Sequence, residues 1–509
     1  QPERAELTRP KGPWDVDDVD LSEGSGNRID LGGLIVTGAP GLEMRLNVDE
    51  RTQAVSAVML VAEDGALELS KGSFSIEPLI RTQRGWLTWA DVKIEQSLAD
   101  GYLPMPSVTW RHAEVQLTTT AYTSGGARDA VTHAVYRVVN PGKKPARLTL
   151  ALAIRPFQVN PPAQFLNTVG GVSPIHELAF QGNAVLVDAV PRVFPRTPPD
   201  AFQAASIEAG QPCEWLASST PRANRVRDEG GFASGVMLYE LDLPAGGSRE
   251  ITLDLALQPN GVFKANSESQ EDVAARWRER LNRVDASVPK DSRALADTLK
   301  TALAHVLINR DGPALQPGSR AYERSWIRDG ALTSEMLLRL GHEDVVKEFL
   351  RWYAPYQFAN GKAPCCVDRR GADPVPENDS QGEFLFLIDE TYRYTRDIEL
   401  LRELWPAARK TVAYMDKLRL SERTEENQQG DRKAFYGLMP ASISHEGYAA
   451  KPMHSYWDNF WSLAGYESAV RIARTLGQKE DMHRFIESRD QFRSDLYRSL
   501  AVAMQAHDI

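Results

Sequence analysis

The chain has 509 residues, 42% of them hydrophobic and 25% charged, and a formal net charge of −10. Such proportions suit a globular protein with room for about two to four domains. They argue against a nucleic-acid binder, which needs a basic stripe, and against electrostatic docking on an anionic membrane. No apolar run approaches the roughly 18–20 residues that span a bilayer.

Residues 1–28 are polar and rich in Pro, Gly and Asp, and read as a tail or linker. From Ile29 to residue 265 the text is strand-like and predicts an antiparallel β-sandwich. Val131, Ala134, Tyr136 and Val138 form one apolar run, and Leu148 to Leu152 form another. The turn signal Asn140-Pro141-Gly142 separates them. The pattern recurs at Val236–Tyr239 and Ile251–Leu253, with Pro244-Ala245-Gly246-Gly247 between.

The period then switches. Residues 266–290 read as a linker with a short helix, Glu271 to Asn282, and residues 291–509 as helical. Asp291 is placed to cap a helix whose Leu295, Leu299, Leu303 and Val306 share a face. Further helices carry Met336–Leu340, then Val345–Tyr353, and end or begin at Gly341. Ser380-Gln381-Gly382-Glu383 is a capping-box sequence. Later helices follow Asp397, span Trp457 to Leu476, and cover Glu480 to Val502. Short links alternate with long ones at 310–326, 360–379 and 421–455, so in an antiparallel array the long loops collect at one end. A helical toroid with such a rim forms a cup suited to a substrate.

The chemistry-bearing residues lie in those long loops. Trp326 offers an apolar face for a sugar ring, while Arg328 and Asp329 supply a donor fork and a paired acceptor for hydroxyls. On the dipeptide alone the simpler reading is favoured: Asp329 caps its helix and Arg328 makes a surface ion pair. The second loop holds Asp368, Arg369 and Asp379, and is either a binding loop or a solvated charged loop. Ser380 and Glu383 have a capping explanation. The third loop contains His445 and Glu446, then Trp457 and Asp458. Glycosidic cleavage needs a carboxylic acid that keeps its proton in an aromatic surround. Glu446, with no structural duty, is the first candidate and Asp458, close to a helix start, the alternative.

Three cysteines, Cys213, Cys365 and Cys366, make no disulfide framework, and the adjacent pair reads as free thiols. No Cys or His spacing signals zinc. Calcium on the acidic loops has no ligand spacing to support it, so no cofactor is expected. The sequence leaves a cytoplasmic or a periplasmic or secreted location open, and also the oligomeric state.

Ser325-Trp326-Ile327-Arg328-Asp329-Gly330-Ala331-Leu332-Thr333 resembles the Trp-x-Arg-Asp helix start of bacterial glucoamylase-type enzymes, glycoside hydrolase family 15. Asn378-Asp379-Ser380-Gln381-Gly382-Glu383 is similar to that group's Asp-x-x-Gly-Glu helix start, and His454-Ser455 before an aromatic helix also fits. The resemblance implies an N-terminal sandwich (supersandwich-like) followed by an (α/α)6 toroid that is incomplete in this chain. It implies an inverting glycoside hydrolase acting on a terminal sugar of an oligo- or polysaccharide. Arg328 and Asp329 would hold that sugar and Glu446 would be the general acid, with the general base beyond this chain. Around Glu446 the sequence reads Ser-His-Glu-Gly-Tyr where the family has Trp-Glu-x-Arg-Gly. A phosphorylase of the same clan and a noncatalytic carbohydrate-binding or scaffold protein are the alternatives.

Overall fold

The structure is a computed structural model, described here for residues 44–46, 59–69, 73–125, 130–159, 171–217, 223–257, 268–285, 288–318, 322–444 and 451–508. The expected tail at 1–28 lies outside these residues. The chain divides into two compact units. The first contains the antiparallel sheets and runs to Gly312, with 318–322 added; the second contains most of the helices, from Glu323 to Ile509, with 313–317. Among the described residues no helix is long and apolar enough to cross a membrane.

In the first unit, one sheet pairs Met44–Leu46, Met59–Val61, Leu67–Glu68, Ser75–Thr82, Ala146–Arg155, Ser234–Leu243 and Ala201–Ala205 in that order, with Gly85–Leu87 also on Ser75–Thr82. The other runs Arg225–Arg227, Glu177–Gln181, Ala184–Val187, Val190–Pro195, Ser248–Ala256, Val131–Val139, Gln116–Ser124, Leu103–Arg111 and Lys93–Ala99. A single core joins them, with Ile76, Leu150, Leu152 and Tyr239 from one sheet and Val108, Leu117, Tyr136 and Leu253 from the other. Each fully buried aliphatic side chain there stabilises by roughly 1.5–3 kcal/mol. Leu148 to Ile154 are buried on both faces. The second face is covered by Trp215 and Leu216 of a short helix, α1 (Pro212–Ala217), which pack with Ala151, Ala153 and Val236. That double burial is why this strand reads as a continuous apolar run.

The two runs flanking Asn140-Pro141-Gly142 are not hairpin partners. Val131–Val139 pairs with Ser248–Ala256, and Ala146–Arg155 with Ser234–Leu243, so each turn carries the chain from one sheet to the other. Asn140 ties the two turns together: its Nδ2 donates to the carbonyls of Lys144, Leu243 and Pro244 at 2.8, 3.2 and 3.0 Å.

Among the described residues, two further helices belong to the same unit, α2 (Gln270–Leu281) and α3 (Arg293–Asn309). Ser269 and Asp272 close a capping box on α2. On α3 the expected apolar face is only half used. Leu303 is buried with Ala304, Leu307 and Ile308, but Leu295 is 73% exposed and Leu299 is exposed too. Its N-cap is Ser292, with no side-chain cap bond, rather than Asp291.

Among its described residues the helical unit contains three hairpins: α4 (Ile327–Arg339) with α5 (Glu343–Tyr353), α6 (Ser380–Thr395) with α7 (Ile398–Ser421), and α8 (Tyr456–Thr475) with α9 (Lys479–His507). Gly341 at φ +77° and Gly477 at φ +70° supply the left-handed backbone that ends α4 and α8. Asp397 Oδ1 accepts from Leu400 N at 3.0 Å and caps α7. Helix α6 packs on both α4 and α8 and is buried almost all round from Ser380 to Thr391. A helix apolar or buried on every side is an inner one; α5, α7 and α9 close the hairpins around this row. The second long loop is not structureless. Cys366–Asp368 pairs with Ser325–Trp326 on one side and Gly371–Ala372 on the other, a small three-stranded sheet.

Candidate active site

The three long loops lead into the N-termini of α4, α6 and α8, so those helix starts converge. Arg328 stands in the first turn of α4, Asp379 is the N-cap of α6, and Trp457 and Asp458 open α8. Helix N-termini favour negative charge, and a guanidinium stands among these acids.

Arg328 is the hub. Its Nε donates to Asp379 Oδ2 at 2.8 Å, and its Nη2 donates to Glu377 Oε2 at 2.8 Å and to the carbonyl of Ser444 at 2.7 Å. Glu383 Oε1 is 3.8 Å from Nε. Burial alone would lower the Arg328 pKa, but Asp379, Glu377 and Glu383 raise it, so the side chain stays charged. Trp457 Nε1 donates to the same Asp379 oxygen at 2.8 Å. Trp457 as a residue is 36% exposed, and its ring meets that of Trp461 edge-on, centroids 5.9 Å apart.

One guanidinium cannot offset every carboxylate buried around it. Glu377 is pushed up to about 8, first by burial and then by the charges of Asp379 and Asp373, against the pull of Arg328. Asp458 is pushed up to about 7 by burial and by Asp379, although it accepts from Ser442 Oγ at 2.6 Å. Glu383 is wholly buried and its carboxyl lies well above the usual range, through burial and the neighbouring Asp379. The described residues give neither oxygen of Glu383 a hydrogen-bond partner. The capping box expected at Ser380–Glu383 is not formed: Asp379 takes the cap position, without a side-chain cap bond, and Ser380 Oγ makes no capping contact. Glu383 therefore belongs to the charge cluster.

The third loop is fastened to the second. Ser442 and Ser444 hydroxyls are 2.7 Å apart, Ser444 Oγ accepts from Asn378 N at 3.0 Å, and Ile443 N donates to Pro376 O at 3.0 Å. Met439 N donates to Asn459 Oδ1 at 2.9 Å. His454 stacks on Phe435, centroids 4.1 Å apart.

The structure thus brings Arg328, Asp379, Trp457 and Asp458 together. Trp326, half-buried, lies in the small sheet with Arg324 over its ring at 5.4 Å. Asp368 binds Arg324 at 2.9 Å and Arg370 at 2.6 Å. Burial would raise its pKa, but those two guanidinium groups hold it below the usual value. Arg369 is exposed and its nearest acid is Glu323 at 3.8 Å. Asp329 does not cap α4: Trp326 holds the N-cap position without a side-chain cap bond, and Asp329, half-buried, stands in the first turn. His445 and Glu446 lie outside the described residues. Glu377 was missed by reading the sequence, because a Glu in a charged loop looks solvated. The only available signal was its position two residues before Asp379.

Two other features lie elsewhere. A cleft of about 260 Å³ lined by Glu335, Arg339, Glu390, Arg393, Tyr394 and Arg396 involves the C-terminal parts of α4 and α6. In the sandwich, Ser124 Oγ is 2.6 Å from His133 Nε2, and His133 Nδ1 is 2.7 Å from Asp254 Oδ1. Ser124 is fully buried, so this chain of contacts ties three neighbouring strands rather than facing a substrate.

Among known structures, the chain is similar to a bacterial glucoamylase complexed with acarbose, at a TM-score of 0.59 and 13% identity over 90% of this chain and 68% of that one. It also matches a putative kojibiose phosphorylase from the human microbiome, at a TM-score of 0.44 and 12% identity over 90% of this chain and 62% of that one. The fold, antiparallel sheets followed along the chain by paired helices, is therefore of the glucoamylase type. A family described as "Protein of unknown function (DUF3710)" matches residues 12–73. No curated protein matches the chain in sequence.

Proposed function

We propose that this chain carries part of an inverting glycoside hydrolase that removes a terminal sugar from an oligo- or polysaccharide. The observation that carries the reading is the convergence of Arg328, Asp379, Glu377 and the partly exposed Trp457 at three helix N-termini. A guanidinium fork and carboxylates match vicinal hydroxyls, and an indole face matches the apolar side of a pyranose. In this reading Arg328 orients the sugar, with Asp329 as its sequence neighbour in that task. Glu446 protonates the leaving oxygen; Ser444, two residues before it, touches Arg328. Asp458, wholly buried, backs the site and would reach substrate only after a rearrangement. Glu377 is the described carboxyl that combines partial exposure with a pKa near neutrality, which suits it to exchange a proton with a bound hydroxyl. No residue is assigned as general base.

The test is turnover of a panel of glycosides by the full protein, with and without inorganic phosphate, for the unaltered chain and for Glu446→Gln and Glu377→Gln. Hydrolysis without phosphate that falls by about a hundredfold or more in Glu446→Gln, with sugar binding kept, supports the reading. Strict phosphate dependence favours a phosphorylase. Sugar binding without turnover under any condition favours a noncatalytic binder.

A further inference from the structure

We infer that Cys365, Cys366 and Asp373 form a site for a thiophilic divalent cation of the zinc class. The two Sγ atoms are 3.6 Å apart. That is far beyond a disulfide bond of about 2.05 Å, and both cysteines are free. Two thiolates on one tetrahedral zinc, each at about 2.3 Å, stand about 3.8 Å apart. One ligand atom from each of the three residues falls within 4.8 Å of the others, and all three residues are buried.

Successive residues of a strand point to opposite faces, so neighbouring cysteines in an extended segment ought to diverge. Here Cys365 lies just before the strand Cys366–Asp368 and the two sulfurs converge. The hairpin brings in the third donor: Asp373 N donates to Cys366 O at 2.9 Å. The Asp373 carboxylate is already oriented, with Oδ2 on Arg324 Nη2 at 2.5 Å and Oδ1 on Val375 N at 3.1 Å. Such outer contacts are what hold a ligating carboxylate in place. The two carboxylates here, Asp368 and Asp373, are matched by the guanidinium groups of Arg324 and Arg370. Replacing two thiol protons by one dication leaves that balance unchanged. Three protein donors leave a fourth position for solvent, and the ion would pin the strand that pairs Cys366 with Trp326. No spacing rule finds the site, because two donors are adjacent and the third arrives through a hairpin.

The experiment uses the full chain with Cys213→Ser, reduced and freed of metal, titrated with Co2+ and Cd2+ and followed by thiolate-to-metal charge-transfer absorption. One equivalent per chain with tetrahedral Co2+ bands is expected. The signal should vanish in Cys365→Ser and Cys366→Ser, and Arg324→Gln should weaken binding by about 10–100-fold. A second readout needs no variant at the site: Zn2+ should slow alkylation of both thiols in otherwise unaltered protein. Absence of charge-transfer absorption, equal binding in Cys365→Ser, or a non-reduced protein lighter by two hydrogens would overturn the inference.

Discussion

Gly382 of α6 and Gly465 of α8 face each other across the contact between the two helices. A Cβ built on Gly465 would lie 2.6 Å from the Cα of Gly382, and one on Gly382 would lie 2.0 Å from the carbonyl oxygen of Trp461. Backbone blocks each position, so neither tolerates a side chain without the helices separating. This contact sets the distance between Asp379 at the head of α6 and Asp458 at the head of α8.

Gly382→Ala should therefore destabilise the helical unit despite the better helix propensity of alanine. Overpacking typically costs about 1–3 kcal/mol, and a clash with main chain belongs at or above the top of that range. Chemical denaturation would show a lower midpoint. An unchanged midpoint would mean the helices part easily.

Arg328→Met removes the guanidinium that Asp379 and Glu377 share. Breaking a buried pair from one side costs about 3–5 kcal/mol because a charge is left uncompensated. The loss should shrink at acid pH, where the stranded carboxyls accept protons cheaply. A denaturation series on the variant and the parent at both ends of the pH range checks this. A pH-independent cost would place the effect in packing instead.

The raised carboxyls give a pH dependence with a definite sign. Glu377 moves from 4.5 to about 8 and Asp458 from 3.8 to about 7. Across that window the unfolded chain has released protons that the folded chain still holds. Stability from these groups is thus complete at acid pH, falls as pH rises from about 4 to about 8, and then levels off, with a slope of up to about 1.4 kcal/mol per pH unit for each group. Glu377→Gln and Asp458→Asn should each flatten the curve. Urea unfolding from about pH 5 to about pH 8 is the measurement, and a parent protein that gains stability through this window would contradict the assignment.

Much of this molecule is legible in its residues. The switch from strand to helix text, the glycines ending α4 and α8, the cap at Asp397 and the alternation of short and long links all follow from local chemistry, because each depends on backbone conformation or on residues within a turn of one another. The convergence of Arg328, Asp379, Trp457 and Asp458 follows from the same alternation. Tertiary structure decided the rest. The runs around Asn140 look like a hairpin, yet each pairs with a strand from the other turn, since a turn signal cannot say whether the chain folds back within a sheet or crosses to the next. Ser380 and Glu383 have the letters of a capping box, but the first turns of α6 are buried and Glu383 sits among carboxyls. Glu377 owes its character chiefly to burial among charges that the fold assembles, and the thiol pair to a hairpin that brings Asp373 back to it, neither of which a local pattern encodes.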